Sequence, residues 1–468
     1  MAIPYSYLLL FISFLLFPFA SPSTIKIPIS PAITKHPSSS DPLKLLNQLA
    51  SISISRAHHL KSAKSDASSS PIKAPLFSRS YGGYSMSLGF GTPSQTVNLI
   101  MDTGSSLLWV PCTSRYLCDD CNFPNTDISK IAKFIPNLSS STRIIGCANK
   151  KCGWIFGSTV LSKCPSCSSN PQNCTEACPP YIIEYGLGST AGRLLSENLN
   201  FPNKTIPDFL VGCSLLSTRQ PEGIAGFGRS SYSLPGQLGL SKFSYCLVSR
   251  NFDDSPVSSD LILEMGPSSS GDTKTAGVSY TPFLRNPGNN GSNPAFQEYY
   301  YVMLRKIIVG SKDIKVPYSF LVPSGSDGSG GTIVDSGTTF TFMEGHIFNL
   351  LSNEFEKQMA NYTKAAEVEK QTGLKPCYDI SGEKSDVLVP ELIFQFKGGA
   401  KLQFALSNYF AFVDKGVICL TIVSDTSGSG GGVRSGPAII LGNFQQQNLY
   451  VEYDLENDRF GFKEQSCV

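Results

Sequence analysis

Histidine is nearly missing from this chain: of four residues in 468, three (His36, His58 and His59) fall within the first sixty. A serine or cysteine nucleophile needs an imidazole base, and many catalytic metal sites need imidazole ligands. With only His346 left in the body of the chain, on a helical stretch where it reads as an ordinary helix residue, both chemistries lack parts. Excess charge of one sign is also missing. Lys and Arg total 38 against 36 Asp and Glu, a formal net charge of +2, which argues against a nucleic-acid footprint or a polybasic membrane patch. Long helical patterns are few. No apolar run closes the chain, so no membrane or glycolipid anchor is signalled. The glycine-rich pieces GSDGSGGT and GSGGG lack the Gly-Lys-Ser/Thr ending of a phosphate loop and read as flexible loops.

Glycine (41) and proline (31), scattered among many short apolar runs, read as a mostly β chain, and its length predicts two domains behind a leader. Residues 8–20, LLLFISFLLFPFA, are too short a run to span a bilayer and sit where a secretory leader belongs, although no Lys or Arg precedes them. A signal peptide over 1–23 is expected. Of 14 cysteines, nine lie between Cys112 and Cys178. Cys118-x-x-Cys121 and Cys164-x-x-Cys167 have zinc-ribbon spacing, but behind a leader disulfides are the better reading, and no metal or cofactor is expected. Sequons at Asn137, Asn173, Asn203, Asn290 and Asn361 fit the same route. The expectation is a secreted, disulfide-bonded glycoprotein of the cell wall or apoplast, with the vacuole as the other destination.

Two stretches carry the chemistry. Residues 97–110, VNLIMDTGSSLLWV, and 332–342, TIVDSGTTFTF, each place an aspartate, Asp102 or Asp335, at the end of an apolar run. Burying a carboxylate between apolar strands is costly, so chance rarely puts one there, and the second lies 233 residues after the first. Apolar-Gly turns recur too, at GIAGFG (223–228) and at Ile440-Leu441-Gly442. This is a duplicated lobe rather than a many-copy repeat. The division expected is an N-terminal lobe over 81–250, with a cysteine-rich insertion at 113–180, and a C-terminal lobe over 251–468. One amphipathic helix is expected over 344–362, its face made of Ile347, Leu350, Leu351, Phe355 and Met359. Residues 24–80 differ in character. Ser- and Pro-rich pieces surround one helical stretch, and from Lys44 to Arg79 the bases Lys44, Arg56, Lys61, Lys64, Lys73 and Arg79 face a single acid, Asp66. They read as a partly disordered basic propeptide opposite an acidic cleft, released as acid weakens its ion pairs.

Two carboxylates brought within hydrogen-bond distance hold one proton between them. The charged one takes a proton from an attacking water and the protonated one donates to a carbonyl oxygen, which is what amide hydrolysis needs. Gly104 and Gly337 let each backbone turn tightly and approach the other. Thr103 and Ser336 can tie the loops together, and Ser105 and Thr338 can hold the outer carboxylate oxygens.

From about Tyr84 to Val468 the chain resembles the pepsin-type aspartic endopeptidases, and more narrowly the atypical nepenthesin-like plant group. DTGSSLLWV, EYGLGSTAG, GIAGFG, DSGTTFTF and IILGNFQQQNLYVEYDLENDRFGF match in kind and order, and the cysteine-dense insertion resembles the nepenthesin type. The resemblance implies an all-β, bilobal β-barrel fold with an active-site cleft between duplicated lobes. It places the flap at Tyr185 and Gly186, supports it with Trp109, and implies the disulfides Cys121–Cys213, Cys246–Cys467 and Cys377–Cys419. Leu187 at the flap tip is less polar than the family's usual residue. The function implied is a secreted, monomeric endopeptidase acting on proteins or peptides at acid pH through Asp102 and Asp335. The alternative is a catalytically silent relative that binds a partner protein, as the xylanase-inhibitor branch of this fold does.

Overall fold

The computed structural model describes residues 23–31, 42–62, 72–73, 83–121, 128–169, 174–184, 188–249, 258–266, 274–287, 294–324, 328–382, 387–414, 416–425 and 436–467. The leader up to residue 22, the flap residues Tyr185 and Gly186, and the sequons Asn173 and Asn290 lie outside the described residues.

The framework begins with β1 (Ser23–Pro31) and helix α1 (Pro42–Ser62). The first half supplies β2 (Tyr84–Phe90), β3 (Gln95–Asp102), β4 (Trp109–Pro111), β5 (Tyr181–Glu184), β6 (Ser189–Phe201), β7 (Lys204–Thr218), β8 (Gly223–Gly226) and β9 (Leu240–Cys246). The second half supplies β10 (Ser259–Met265), β11 (Thr332–Val334), β12 (Thr341–Met343), α2 (Gly345–Gln358), β13 (Ile422–Val423), β14 (Ile439–Leu441), β15 (Leu449–Asp454) and β16 (Arg459–Glu464).

Local chemistry explains the strands. Along β2, YSMSLGF, the alternate residues Tyr84, Met86, Leu88 and Phe90 are buried, as a period of two requires when one face meets a core. A short turn then reverses the chain, with Gly91 at φ 91°, where a side chain would be strained. The antiparallel partner β3 ends on Asp102.

The duplication is visible in the topology. In the first half β8 runs parallel to β3 and antiparallel to β4, and β4 is parallel to β7. In the second half β14 runs parallel to β11 and antiparallel to β12, and β12 is parallel to β13. The apolar-Gly segments are therefore the central strands beside each aspartate. Gly226 pairs with Asp102, and Val334, just before Asp335, pairs with Leu441.

The expectation of an all-β barrel is corrected. The described strands form one sheet of sixteen and three smaller ones, no strand order closes into a barrel, and 22% of the chain is helical. The helical share has three sources. α1 places Leu46, Leu49, Ala50, Ala57 and Leu60 on one buried face. α2 buries Ile347, Phe348, Leu351 and Phe355, and stops at Gln358, a turn short of the end read from the sequence. The cysteine-rich insertion, too polar for strands, folds into short helices such as Lys150–Phe156, stapled by Cys147–Cys164, Cys152–Cys178 and Cys167–Cys174.

The remaining disulfides are Cys112–Cys213, Cys118–Cys121, Cys246–Cys467 and Cys377–Cys419, leaving no free cysteine. The expected Cys121–Cys213 pair is thus replaced. The parallel register of β4 on β7 sets Val110 against Cys213, which brings the next residue but one, Cys112, to a Cα separation of 5.1 Å from it. No helix among the described residues is long and apolar enough to cross a membrane.

Candidate functional site: a carboxylate pair closed by an arginine

Asp102 and Asp335 are held in mirror-image settings. The Gly104 N–H donates to Asp102 Oδ1 at 3.0 Å and Ser105 Oγ donates to Oδ2 at 2.6 Å. The Gly337 N–H donates to Asp335 Oδ1 at 3.0 Å and Thr338 Oγ1 donates to Oδ2 at 2.6 Å. The loops are tied across the interface by reciprocal bonds. The Thr103 N–H donates to Ser336 Oγ (3.1 Å) and the Ser336 N–H to Thr103 Oγ1 (2.9 Å). Each hydroxyl then donates onward to the opposite half, Thr103 to the Val334 carbonyl and Ser336 to the Met101 carbonyl. Glycine is required on both sides by close approach. A Cβ on Gly104 would meet the Asp335 carboxylate at 2.8 Å, and one on Gly337 would run into that of Asp102.

The space between the carboxylates is taken. Arg56, on α1, reaches Asp335 Oδ2 through Nε (2.5 Å) and Oδ1 through an Nη (2.9 Å), and the same Nη donates to Asp102 Oδ1 at 2.7 Å. All three side chains are buried. One guanidinium thus serves two carboxylates, with two contacts to Asp335 and one to Asp102. Burial is the largest influence on Asp102 and pushes its carboxyl above the usual range; Arg56 pulls it back, and the charge of Asp335 adds to the rise. Arg56 itself is held above its ordinary value: burial works against its charge, and the two aspartates outweigh that.

α1 is seated by more than this arginine. Its leucines pack against Phe340, Phe342, Ile440 and Phe444, and the Phe340 N–H donates to Ser53 Oγ at 2.9 Å. His58 Nε2 lies 2.8 Å from Asp425 Oδ2 and edge-on to Phe342. Arg56 is one of six basic residues legible between Lys44 and Arg79; the helical phase shared with Leu49, Ser53 and Leu60 singles it out. Glu298 was not legible at all. It is buried beside the pair, accepts from Tyr232 Oη, and burial pushes its carboxyl up. Its run, QEYYYV, reads as strand, and nothing in it marks an inward carboxyl.

Trp109 sits fully buried in a cluster with Tyr181, Ile183 and Ile224. His346 stacks on Phe320, an ordinary packing contact. Cys147, Cys167 and Glu176 approach as a metal triad would, but both sulfurs are committed to disulfides and supply no thiolate.

A duplicated strand arrangement presenting Asp-Thr-Gly and Asp-Ser-Gly across one interface defines the pepsin-like aspartic-protease superfamily, and the chain belongs to it, within its nepenthesin-like and xylanase-inhibitor-related plant members. The family models that match are Xylanase inhibitor N-terminal over residues 84–263 and Xylanase inhibitor C-terminal over 299–464. The chain is 32% identical over 430 residues (82% of each chain) to the Arabidopsis thaliana protein named probable aspartyl protease. It is 31% identical to aspartic proteinase nepenthesin-1 of Nepenthes gracilis, over 82% of this chain and 78% of that one. Among solved structures, edgp has a TM-score of 0.63 at 21% identity, covering 95% of both chains. Basic 7S globulin from soybean has a TM-score of 0.57 at 19% identity, covering 82% of this chain and 92% of that one.

The expectation of a working acid endopeptidase is corrected by these findings. Both halves match models of xylanase inhibitors, and the solved structures of similar fold include a basic 7S globulin, so the fold carries no commitment to proteolysis. At the site itself, Arg56 is bonded to both carboxylates and occupies the space between them.

Proposed function

We propose that this chain is a catalytically silent pepsin-fold protein that binds a partner protein, of the glycoside-hydrolase-inhibitor type that both matching family models describe. The observation that carries the reading is Arg56 seated between Asp102 and Asp335 on a helix with its own buried apolar face. In this reading residues 24–80 are a propeptide-like segment that stays on the chain and keeps the pair closed. The lobes are 81–250, with its insertion at 113–180, and 251–468. Seven disulfides and exposed sequons at Asn137, Asn203 and Asn361 support a secreted, extracellular protein with a leader over 1–23.

The test sets two assays on one preparation of the full-length secreted protein. Digestion of a denatured protein between pH 3 and pH 7, with and without pepstatin, should show no turnover. A panel of secreted xylanases and other glycoside hydrolases should include at least one that it binds and inhibits. Pepstatin-sensitive turnover, or indifference of the whole panel, overturns the reading.

A further inference from the structure

A separate concavity, sharing no lining residue with the carboxylate pair, opens beside β15. Along β15, Val451 and Tyr453 point into the core, so Tyr450 and Glu452 point to the opposite face. There a cavity of about 350 Å³ opens between Tyr450, Lys463, Asp260, Ile262, Gln465 and the Cys246–Cys467 disulfide, with Ser258 and Ser466 also in its lining. That volume lies within the range of about 300–1,000 Å³ usual for small-molecule sites.

The lining is built rather than incidental. Tyr450 Oη donates to Glu452 Oε2 at 2.8 Å. Glu452 also accepts from Tyr280 Oη at 2.6 Å and Thr275 Oγ1 at 2.7 Å, which fixes the phenol ring as a rigid wall. Lys463 Nζ sits 5.1 Å from the centre of that ring. The disulfide and Ile262 supply apolar surface, while Asp260, Gln465 and the two serines are the exposed polar members of the lining.

This chemistry selects a ligand class. β9, β10 and β15 are each paired on both edges, so an added peptide strand finds no open backbone there. Among the described lining residues the one carboxylate, Asp260, is matched by one ammonium, Lys463, which disfavours a strongly charged ligand. A rigid aromatic wall combined with several short polar groups suits a molecule having apolar C–H faces and a ring of hydroxyls. We infer that this cavity binds a neutral pyranose, either a free sugar or the terminal unit of a glycan. The inference is independent of how the Asp102–Asp335 pair behaves.

Saturation-transfer NMR and calorimetry on the full-length chain, enzymatically deglycosylated so that its own glycans cannot compete, test it. The probes are methyl pyranosides of glucose, galactose and xylose, with a trisaccharide ending in whichever binds. Saturable binding is expected for at least one pyranoside, weakened tenfold or more by Asp260→Ala and by Gln465→Ala, two exposed substitutions, and unchanged by the remote Lys312→Ala. Tighter binding of the trisaccharide assigns the glycan as source, and equal binding the free sugar. Absence of saturable binding by every probe overturns the inference. So does binding that both cavity variants leave intact.

Discussion

Replacing Arg56 by Met keeps most of the side-chain volume on α1 and removes the cation from between Asp102 and Asp335. Three contacts of 2.5–2.9 Å are lost, and two buried carboxylates are left facing each other. Breaking a buried ion pair from one side costs about 3–5 kcal/mol. Against that, Leu46, Leu49 and Leu60 remain buried, and at about 1.5–3 kcal/mol each they hold α1 with roughly 5–9 kcal/mol. The helix should therefore stay seated at neutral pH while the whole protein becomes less stable. The pH dependence has a definite sign. Folded Asp102 binds its proton more tightly than unfolded Asp102 does, because its carboxyl is pushed up, chiefly by burial. Its contribution to stability therefore rises as pH falls through the folded value and is lost as pH climbs back. Arg56 pulls that same carboxyl down, so protonation of Asp102 weakens the Arg56 contact itself. The Arg56→Met penalty should then be largest near pH 7 and smaller near pH 4, where one shared proton replaces part of the missing cation. Denaturant unfolding of parent and variant at both pH values measures it, and limited proteolysis across residues 42–62 reports whether α1 is still seated. Equal stability of parent and variant at pH 7, or a penalty that grows as pH falls, would refute the reasoning.

Ser336→Ala removes a donor to the Met101 carbonyl and an acceptor from the Thr103 N–H, both in a buried interface, and should cost roughly 2–4 kcal/mol in denaturant unfolding. Non-reducing peptide mapping should recover Cys112 with Cys213 and Cys118 with Cys121; a peptide joining Cys121 to Cys213 would contradict the strand register. Cys467→Ser together with Cys246→Ser opens a staple spanning 221 residues and should lower unfolding stability by up to about 5 kcal/mol. Asn137, Asn203 and Asn361 are exposed, so Asn→Gln at each should remove one glycan's mass from the secreted protein in intact mass spectrometry.

The sequence by itself determined everything that depends on short-range pattern. Asp-Thr-Gly and Asp-Ser-Gly behind apolar strands mark the two carboxylates, because the glycine, the hydroxyls and the buried strand belong to one contiguous stretch of chain. The repeated apolar-Gly turns mark the central strand of each half for the same reason. Which cysteine meets Cys213 was beyond that reach, since it follows from the parallel register of strands a hundred residues apart. So was the overall class: strand-like runs outnumber helical ones in the sequence, but whether sheets close into barrels is set by how their edges are covered. The occupant of the site was beyond it as well. Six basic residues between Lys44 and Arg79 carry the same charge, and composition cannot rank them. Only when Leu49, Ser53 and Leu60 lie against the second half does the helical phase turn one of the six inward, and the guanidinium at that position is the one that closes the pair.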